Sequence, residues 1–286
     1  MKLRPLYGES YTAPVKPGLA FRVYSNTKPH HLKISSLQKG LILVHNGREL
    51  IEEGVGFGVP AAIFSDKTYF SGSAHTFIGE GKQSTVIVKR FLLDMVTRRR
   101  WRITSFVDNP FYKSVSRFFE NTYINYPNSR KAIIPLIAFK NKVGVKTDFV
   151  KSAPRGEIIV TYRIKQHQLE IEADLAGLNM AGLKKLVFLN EQGPAFFRRL
   201  KKPGSSDLID EEIGAWNLIS ASHASFSDLE NSLTFSLQNL PKSRLFVGRE
   251  YFKGLTAWAG MEYEVEPPLD QFSYRIQFSF GGDKHD

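Results

Sequence analysis

Apolar side chains recur at every second position along much of this chain, and that period constrains its fold more than any other feature. Near the C-terminus, Phe272, Tyr274, Ile276, Phe278 and Phe280 alternate with Ser273, Arg275, Gln277 and Ser279. Successive strand residues point to opposite faces, so such a run is a half-buried strand with one wet face. Leu233, Phe235 and Leu237 alternate with Thr234, Ser236 and Gln238 in the same way. Leu41-Ile42-Leu43-Val44-His45, then Asn46-Gly47, then Arg48-Glu49-Leu50-Ile51 reads as a hairpin, because Asn-Gly supplies the two positive-φ residues of a type I′ turn.

A second hairpin is supported by charge. Ile158, Val160, Tyr162 and Ile164 share one face of a strand, with Thr161, Arg163 and Lys165 on the other. The return strand places Leu169, Ile171, Ala173 and Leu175 inward and Glu170, Glu172 and Asp174 outward. A two-residue loop pairs Arg163 with Glu170, and a four-residue loop pairs it with Glu172. Either register sets opposite charges across the ladder, so these acids read as structural. Helical periodicity is scarce. Asn109-Pro110 is a cap and first-turn signal, followed by Phe111, Val115, Phe118 and Phe119 at helical spacing, which predicts an amphipathic helix over 110–122. Residues 180–200 fit a helical turn or a buried strand equally. The expected fold is all-β: a large antiparallel β-sandwich of roughly 14–18 strands with one or two short helices.

Length and composition set the outer bounds. A chain of 286 residues buries about 75% of its unfolded surface and can form one large β domain. The expectation is a single domain over 1–286 with two lobes distinguished by charge. Residues 1–143 carry 22 Lys/Arg against 9 Asp/Glu, and residues 144–286 carry 17 against 19. A basic lobe of +13 therefore adjoins a near-neutral lobe of −2. The chain has no cysteine, which excludes disulfide scaffolds, cysteine-ligated zinc, iron–sulfur clusters and cysteine nucleophiles. No apolar run approaches the ~18 residues of a membrane span. The start, Met1-Lys2-Leu3-Arg4-Pro5, lacks the apolar stretch of a signal peptide, so a cytoplasmic protein is expected.

Several segments have the residue types for chemistry. Glu52-Glu53-Gly54-Val55-Gly56-Phe57-Gly58-Val59-Pro60 sets three glycines at alternate positions, open to tight turning or close approach of a ligand. Its spacing matches neither a dinucleotide fingerprint nor a kinase loop. It reads either as a cleft with Glu53 at its mouth or as a bulged strand crossing a sheet corner. His75 follows this segment and is expected to return to the same cleft. His223 sits among Ser220, Ala221, Ser222 and Ala224, small neighbours that leave room for a ligand. His30 and His31 are adjacent on an expected strand and would point to opposite faces, so no metal site assembles from spacing. No metal or cofactor is expected.

Toward the C-terminus, Trp258, Gly260, Glu262, Glu264 and Glu266 share one strand face, with Met261, Tyr263 and Val265 on the other. A Trp ring stacks on the apolar face of a sugar while carboxylates accept its hydroxyl protons. Trp216 is a second ring among small residues, and Glu191 ends an apolar run where a carboxylate acts as general base. Arg98-Arg99-Arg100-Trp101-Arg102 is the densest basic point. Arg99 and Arg100 there suit phosphate or acidic-glycan contacts, although no nucleic-acid-binding motif accompanies them.

The length, the strand-rich pattern and the Gly156–Leu175 hairpin resemble the galactose-mutarotase-like supersandwich of carbohydrate-handling proteins. Epimerases of that family use a His acid and a Glu base. Their His-x-Tyr-Phe-Asn type segment is absent here, so the resemblance carries over no catalytic residue, and fold does not fix function. The leading expectation is a carbohydrate-binding or carbohydrate-modifying protein with acid–base chemistry at a sugar carbon. Glu191 or Glu53 would be the base and His75 or His223 the acid, with Trp258, Trp216 and Glu262 binding substrate. The alternatives are a non-catalytic module that docks an anionic polymer, acidic glycan or nucleic acid, on its basic half, or a structural β protein.

Overall fold

The computed structural model describes residues 2–8, 10–25, 37–65, 67–81, 84–101, 145–214, 216–252 and 256–281. Twenty strands are seen among them, more than the alternation alone suggests, because four have only two residues. The first five are β1 (Arg4–Pro5), β2 (Ser10–Lys16), β3 (Leu19–Tyr24), β4 (Ile42–His45) and β5 (Arg48–Glu49). Long strands follow: β6 (Gly56–Phe64), β7 (Thr68–Glu80), β8 (Thr85–Trp101), β9 (Val145–Lys151), β10 (Glu157–Ile164), β11 (Gln168–Asp174) and β12 (Leu183–Gln192). Then come β13 (Arg199–Lys201), β14 (Leu208–Ile209), β15 (Asn217–Leu218), β16 (His223–Ser227) and β17 (Leu233–Gln238). The chain closes with β18 (Ser243–Phe252), β19 (Thr256–Val265) and β20 (Gln271–Phe280).

The fold is all-β, as the alternation requires. Sixteen strands form one antiparallel sheet along the path β14-β13-β16-β17-β20-β11-β10-β8-β7-β6-β12-β19-β18-β15, with β1 on β7 and β9 on β8, and β2–β5 form a second sheet. Both expected hairpins are present. Asn46 and Gly47 have φ of 49° and 79°, the positive pair that the tight β4–β5 turn needs. Arg163 pairs with Glu170 in the β10–β11 ladder, the two-residue-loop register. The ion pairs run diagonally as well, Arg163 to Glu172 at 2.7 Å and Lys165 to Glu170 at 2.8 Å. Residues 183–192, left open between helix and strand, are the strand β12. The only helical element among the described residues is a 3₁₀ turn, Asp210–Glu212. The helix expected over 110–122, the His30-His31 pair and the side chains of Arg99 and Arg100 lie outside the described residues.

The chain divides into two compact units, Met1–Val96 with Lys151–Asp286, and Thr97–Val150. The charge boundary at 143/144 falls inside the second. In the first unit, aromatic rings fill the interior. Phe57 meets Phe21, Phe235 and Phe278 edge-on at 5.3–6.4 Å, and Phe188 stacks on Phe272 at 5.1 Å. Such pairs contribute about 0.5–1.5 kcal/mol each beyond their buried area. Buried polar groups on β12 tie the layers together. Asn190 Oδ1 accepts from the Tyr274 hydroxyl at 2.9 Å and from Gly58 N–H at 3.1 Å. Gln192 accepts from Leu43 N–H and donates to the Leu41 carbonyl, both at 3.2 Å, which clamps β4 against β12.

Candidate functional site: a buried carboxyl cluster beside a tryptophan pair

The glycine-rich segment is a bulged crossing strand, and its glycines are there for space. Gly56 and Gly58 have φ of 87° and 73°. A Cβ on Gly58 would lie 2.6 Å from the Tyr162 ring, and one on Gly56 would lie 2.7 Å from the Leu41 carbonyl oxygen. The β6–β12 register slips between Leu189 and Asn190, where Gly58 supplies the extra residue. The strand thereby turns its preceding residues onto Glu191: Val55 N–H donates to Glu191 Oε2 at 3.0 Å.

Glu191 stands opposite Gly260, and Leu189 stands opposite Glu262. Directly opposed residues of an antiparallel ladder share a face, so Glu191, Gly260, Glu262 and Trp258 lie on one face of β12 and β19. The next strand adds Gly248 opposite Gly260 and Glu250 opposite Trp258. The even-numbered face of β19 is therefore as the alternation implies, but it is buried: Glu262 is 7% exposed and Trp258 8%. Trp258 is covered because Trp216 stacks on it at 4.3 Å with 28° between the rings. Its six-membered ring also occupies the space above Gly248, where a Cβ would sit 2.5 Å from it. Trp216, half-buried, is the ring that retains exposure.

Burial is the first cause of unusual proton affinity here. It pushes the Glu191 carboxyl up to about 7, against the Val55 hydrogen bond and the Lys39 charge, with the Glu250 charge adding to the rise. Burial likewise raises Glu262 to about 8, reinforced by the charges of Glu191 and Glu264 and opposed by Lys185. Glu264 bridges to Lys185 and, at 2.8 Å, to Arg244. Glu53 is half-buried, its N–H donating to the Ala257 carbonyl at 3.1 Å.

Glu53, Glu191, Glu262, Trp216 and Trp258 are thus brought together. The two histidines are not. His75 is exposed on β7 opposite Arg90. It stays apart because residues 38–41 wedge between β6 and β7, with Gln38 N–H donating to Ser71 O at 2.7 Å and Gly40 N–H to Val55 O at 2.9 Å. His223 is exposed on β16 opposite Gln238, with its ring beside the Ser222 hydroxyl at 3.2 Å. Sequence reasoning missed Lys39, carried by the same wedge. Its ammonium donates to the Gly54 carbonyl, and burial lowers its proton affinity while the charges of Glu191, Glu49 and Glu53 raise it. Nothing in Leu37-Gln38-Lys39-Gly40 distinguishes it from a solvated turn. Among the described residues no group of His, Asp and Glu is arranged to hold a metal ion, and no helix is long and apolar enough to cross a membrane.

No family model matches the chain, and no curated protein matches it in sequence. Solved structures do. The alpha-N-acetylgalactosaminidase NagBb from Bifidobacterium bifidum, in complex with GalNAc, superposes with a TM-score of 0.50 at 7% identity over 96% of this chain. The match covers 36% of that enzyme, so this chain spans about a third of its length. The Slr1438 protein of Synechocystis sp. PCC 6803 gives a TM-score of 0.42 at 11% identity, covering 96% of both chains. An Escherichia coli K12 protein provisionally assigned as an aldose 1-epimerase gives 0.40 at 7% identity, over 98% of this chain and all of that one. At these identities the likeness is one of fold alone.

Proposed function

We propose that this protein binds a carbohydrate beside Trp216 and uses the Glu191–Glu262 pair as acid and base for ring opening and closure at the anomeric carbon of a sugar. The observation that carries the reading is the placing of two carboxyls with near-neutral proton affinity on adjacent strands, next to a stacked tryptophan pair. With Glu191 at about 7 and Glu262 at about 8, the pair holds close to one proton in that interval. One group then accepts a proton from a sugar hydroxyl while the other donates one to the ring oxygen, and the roles reverse when the ring closes. Glu262 takes the acid role that the sequence offered to His75 or His223. Glu53, half-buried, stands beside the pair, and the Lys39 charge acts on Glu191. The fold shared with a GalNAc-bound galactosaminidase supports the choice of substrate class by analogy.

The test is anomer interconversion of aldoses, followed by NMR, with wild type, Glu191→Gln and Glu262→Gln. Wild type should exceed the buffer rate and each variant should lose about 10²-fold or more, the usual contribution of a general acid or base. A wild-type rate equal to buffer, or full activity in both variants, would overturn the proton-transfer role. Binding lost in Trp216→Ala would still support the carbohydrate site.

A further inference from the structure

A cavity of about 540 Å³ shares no residue with the carboxyl cluster. Its size falls within the range of small-molecule sites. Its walls are outward side chains of three neighbouring strands: Arg163 of β10, Glu170 and Glu172 of β11, and Ser273, Arg275 and Gln277 of β20. The opening has a topological cause. β17 pairs with β20 from Leu233↔Phe280 only as far as Ser236↔Gln277. On its other edge, β20 stays paired with β11 down to Gln271. Past Gln277, β17 departs; its Gln238 carbonyl accepts the Tyr263 hydroxyl instead, and Leu240 and Tyr263 line the gap.

The chemistry of these walls selects a ligand class. Two arginines face two glutamates, and the pairs are already formed: Arg163 with Glu172 at 2.7 Å and Arg275 with Glu170 at 3.6 Å. An anionic ligand would have to displace the glutamates, and a cationic one the arginines. Neither guanidinium is saturated, since each has five N–H donors, and each carboxylate keeps spare lone pairs. The Ser273 hydroxyl and the Gln277 amide both donate and accept. Side by side, such groups match hydroxyls, which also do both, while Leu240 and the Tyr263 ring offer apolar contact for C–H groups. We propose that this cavity is a binding site for a neutral, hydroxyl-rich small molecule of the mono- or disaccharide class. The proposal stands independently of the Glu191–Glu262 reading.

The experiment is saturation-transfer NMR on the intact chain with glucose, galactose, N-acetylgalactosamine, maltose and lactose as probes. At least one should bind. Ser273→Trp, at an exposed position, should fill the cavity and weaken that binding about tenfold or more, the loss of one or two hydrogen bonds. Arg275→Ala should weaken it several-fold, and binding at this cavity should persist in the Trp216→Ala chain, where the other face no longer takes sugar. A thermal melt of Ser273→Trp that matches wild type shows that the fold survives. The proposal is overturned if no probe binds, or if the binding that remains in Trp216→Ala survives the addition of Ser273→Trp. Binding lost in Trp216→Ala but kept in Ser273→Trp overturns it in favour of the carboxyl site alone.

Discussion

Glu191 and Glu262 lie diagonally across the β12–β19 ladder, and the charge of the first raises the proton affinity of the second. Their folded values of about 7 and 8 exceed the ordinary 4.5, so the folded state holds more protons than the unfolded chain between those limits. Stability contributed by these groups is therefore present at low pH and falls as pH rises from about 4.5 to 8. Urea midpoints measured across this window should decline with pH in wild type and decline less in Glu191→Gln/Glu262→Gln. An unchanged slope in the double variant would mean that the pair is ionised throughout.

Lys89 predicts the opposite trend at higher pH. It is fully buried on β8, donating to the carbonyls of Tyr24, at 3.1 Å, and of Lys39, with the Phe91 ring 5.4 Å away. Burial lowers its proton affinity to about 7 from 10.5. Between these values the unfolded chain binds the extra proton, so stability attributable to Lys89 rises with pH. Lys89→Met should abolish that rise and raise stability at neutral pH, because a buried charge gives way to an apolar chain of similar volume. A lower melting temperature for Lys89→Met would show that its two carbonyl bonds outweigh the desolvation.

The two tryptophans should separate packing from binding. Trp258→Ala removes a buried ring and should cost about 3–5 kcal/mol of stability. Trp216→Ala should cost less than half of that while abolishing sugar binding at this face. Chemical denaturation read beside sugar titration distinguishes the two. Equal stability losses would place Trp216 in the core.

Gly58→Ala should destabilise by about 1–3 kcal/mol. The new methyl group would meet the Tyr162 ring at 2.6 Å in a backbone conformation of φ 73°. Tyr162 donates to the Gly58 carbonyl at 2.9 Å, so ring and strand cannot separate without losing that bond. Gly204, also at positive φ but with open space around it, provides the control, and its Ala variant should lose less.

The basic half of the chain makes a separable prediction. If an acidic glycan or a nucleic acid docks there, affinity for heparin or single-stranded DNA should fall steeply with salt. Arg99→Ala with Arg100→Ala should weaken it in the same direction. Salt-insensitive binding would remove this reading.

The alternating strands were legible from sequence because their signal is local. In β10, β11, β17 and β20 every second residue is buried, and a glance at five neighbours reveals it. The central strands lack that contrast. β6 is buried on both faces over nearly its whole length, so its pattern carries no register, and the pairing of Glu191 with Gly56 could not be read from it. Trp258 is hidden by Trp216, which no local pattern links to it. Lys39 owes its place to partners as distant in sequence as Glu191. Tertiary contact decides these positions, and the site is built mostly from them.

The wedge formed by residues 38–41 makes the continuity of the large sheet depend on a stretch of chain that belongs to none of its strands. Gly40 fits there only because it has no side chain, since a Cβ would overlap the Phe57 carbonyl oxygen at 1.9 Å. The same few residues present Lys39 to Glu191 and deliver a carbonyl to Lys89. The segment therefore acts as a keystone: an insertion there would push neighbouring strands apart, displace the site's lysine and take one of two carbonyl acceptors from the buried Lys89 ammonium in one event. Tolerance to sequence change should accordingly be lower in this short connection than in the long strands on either side.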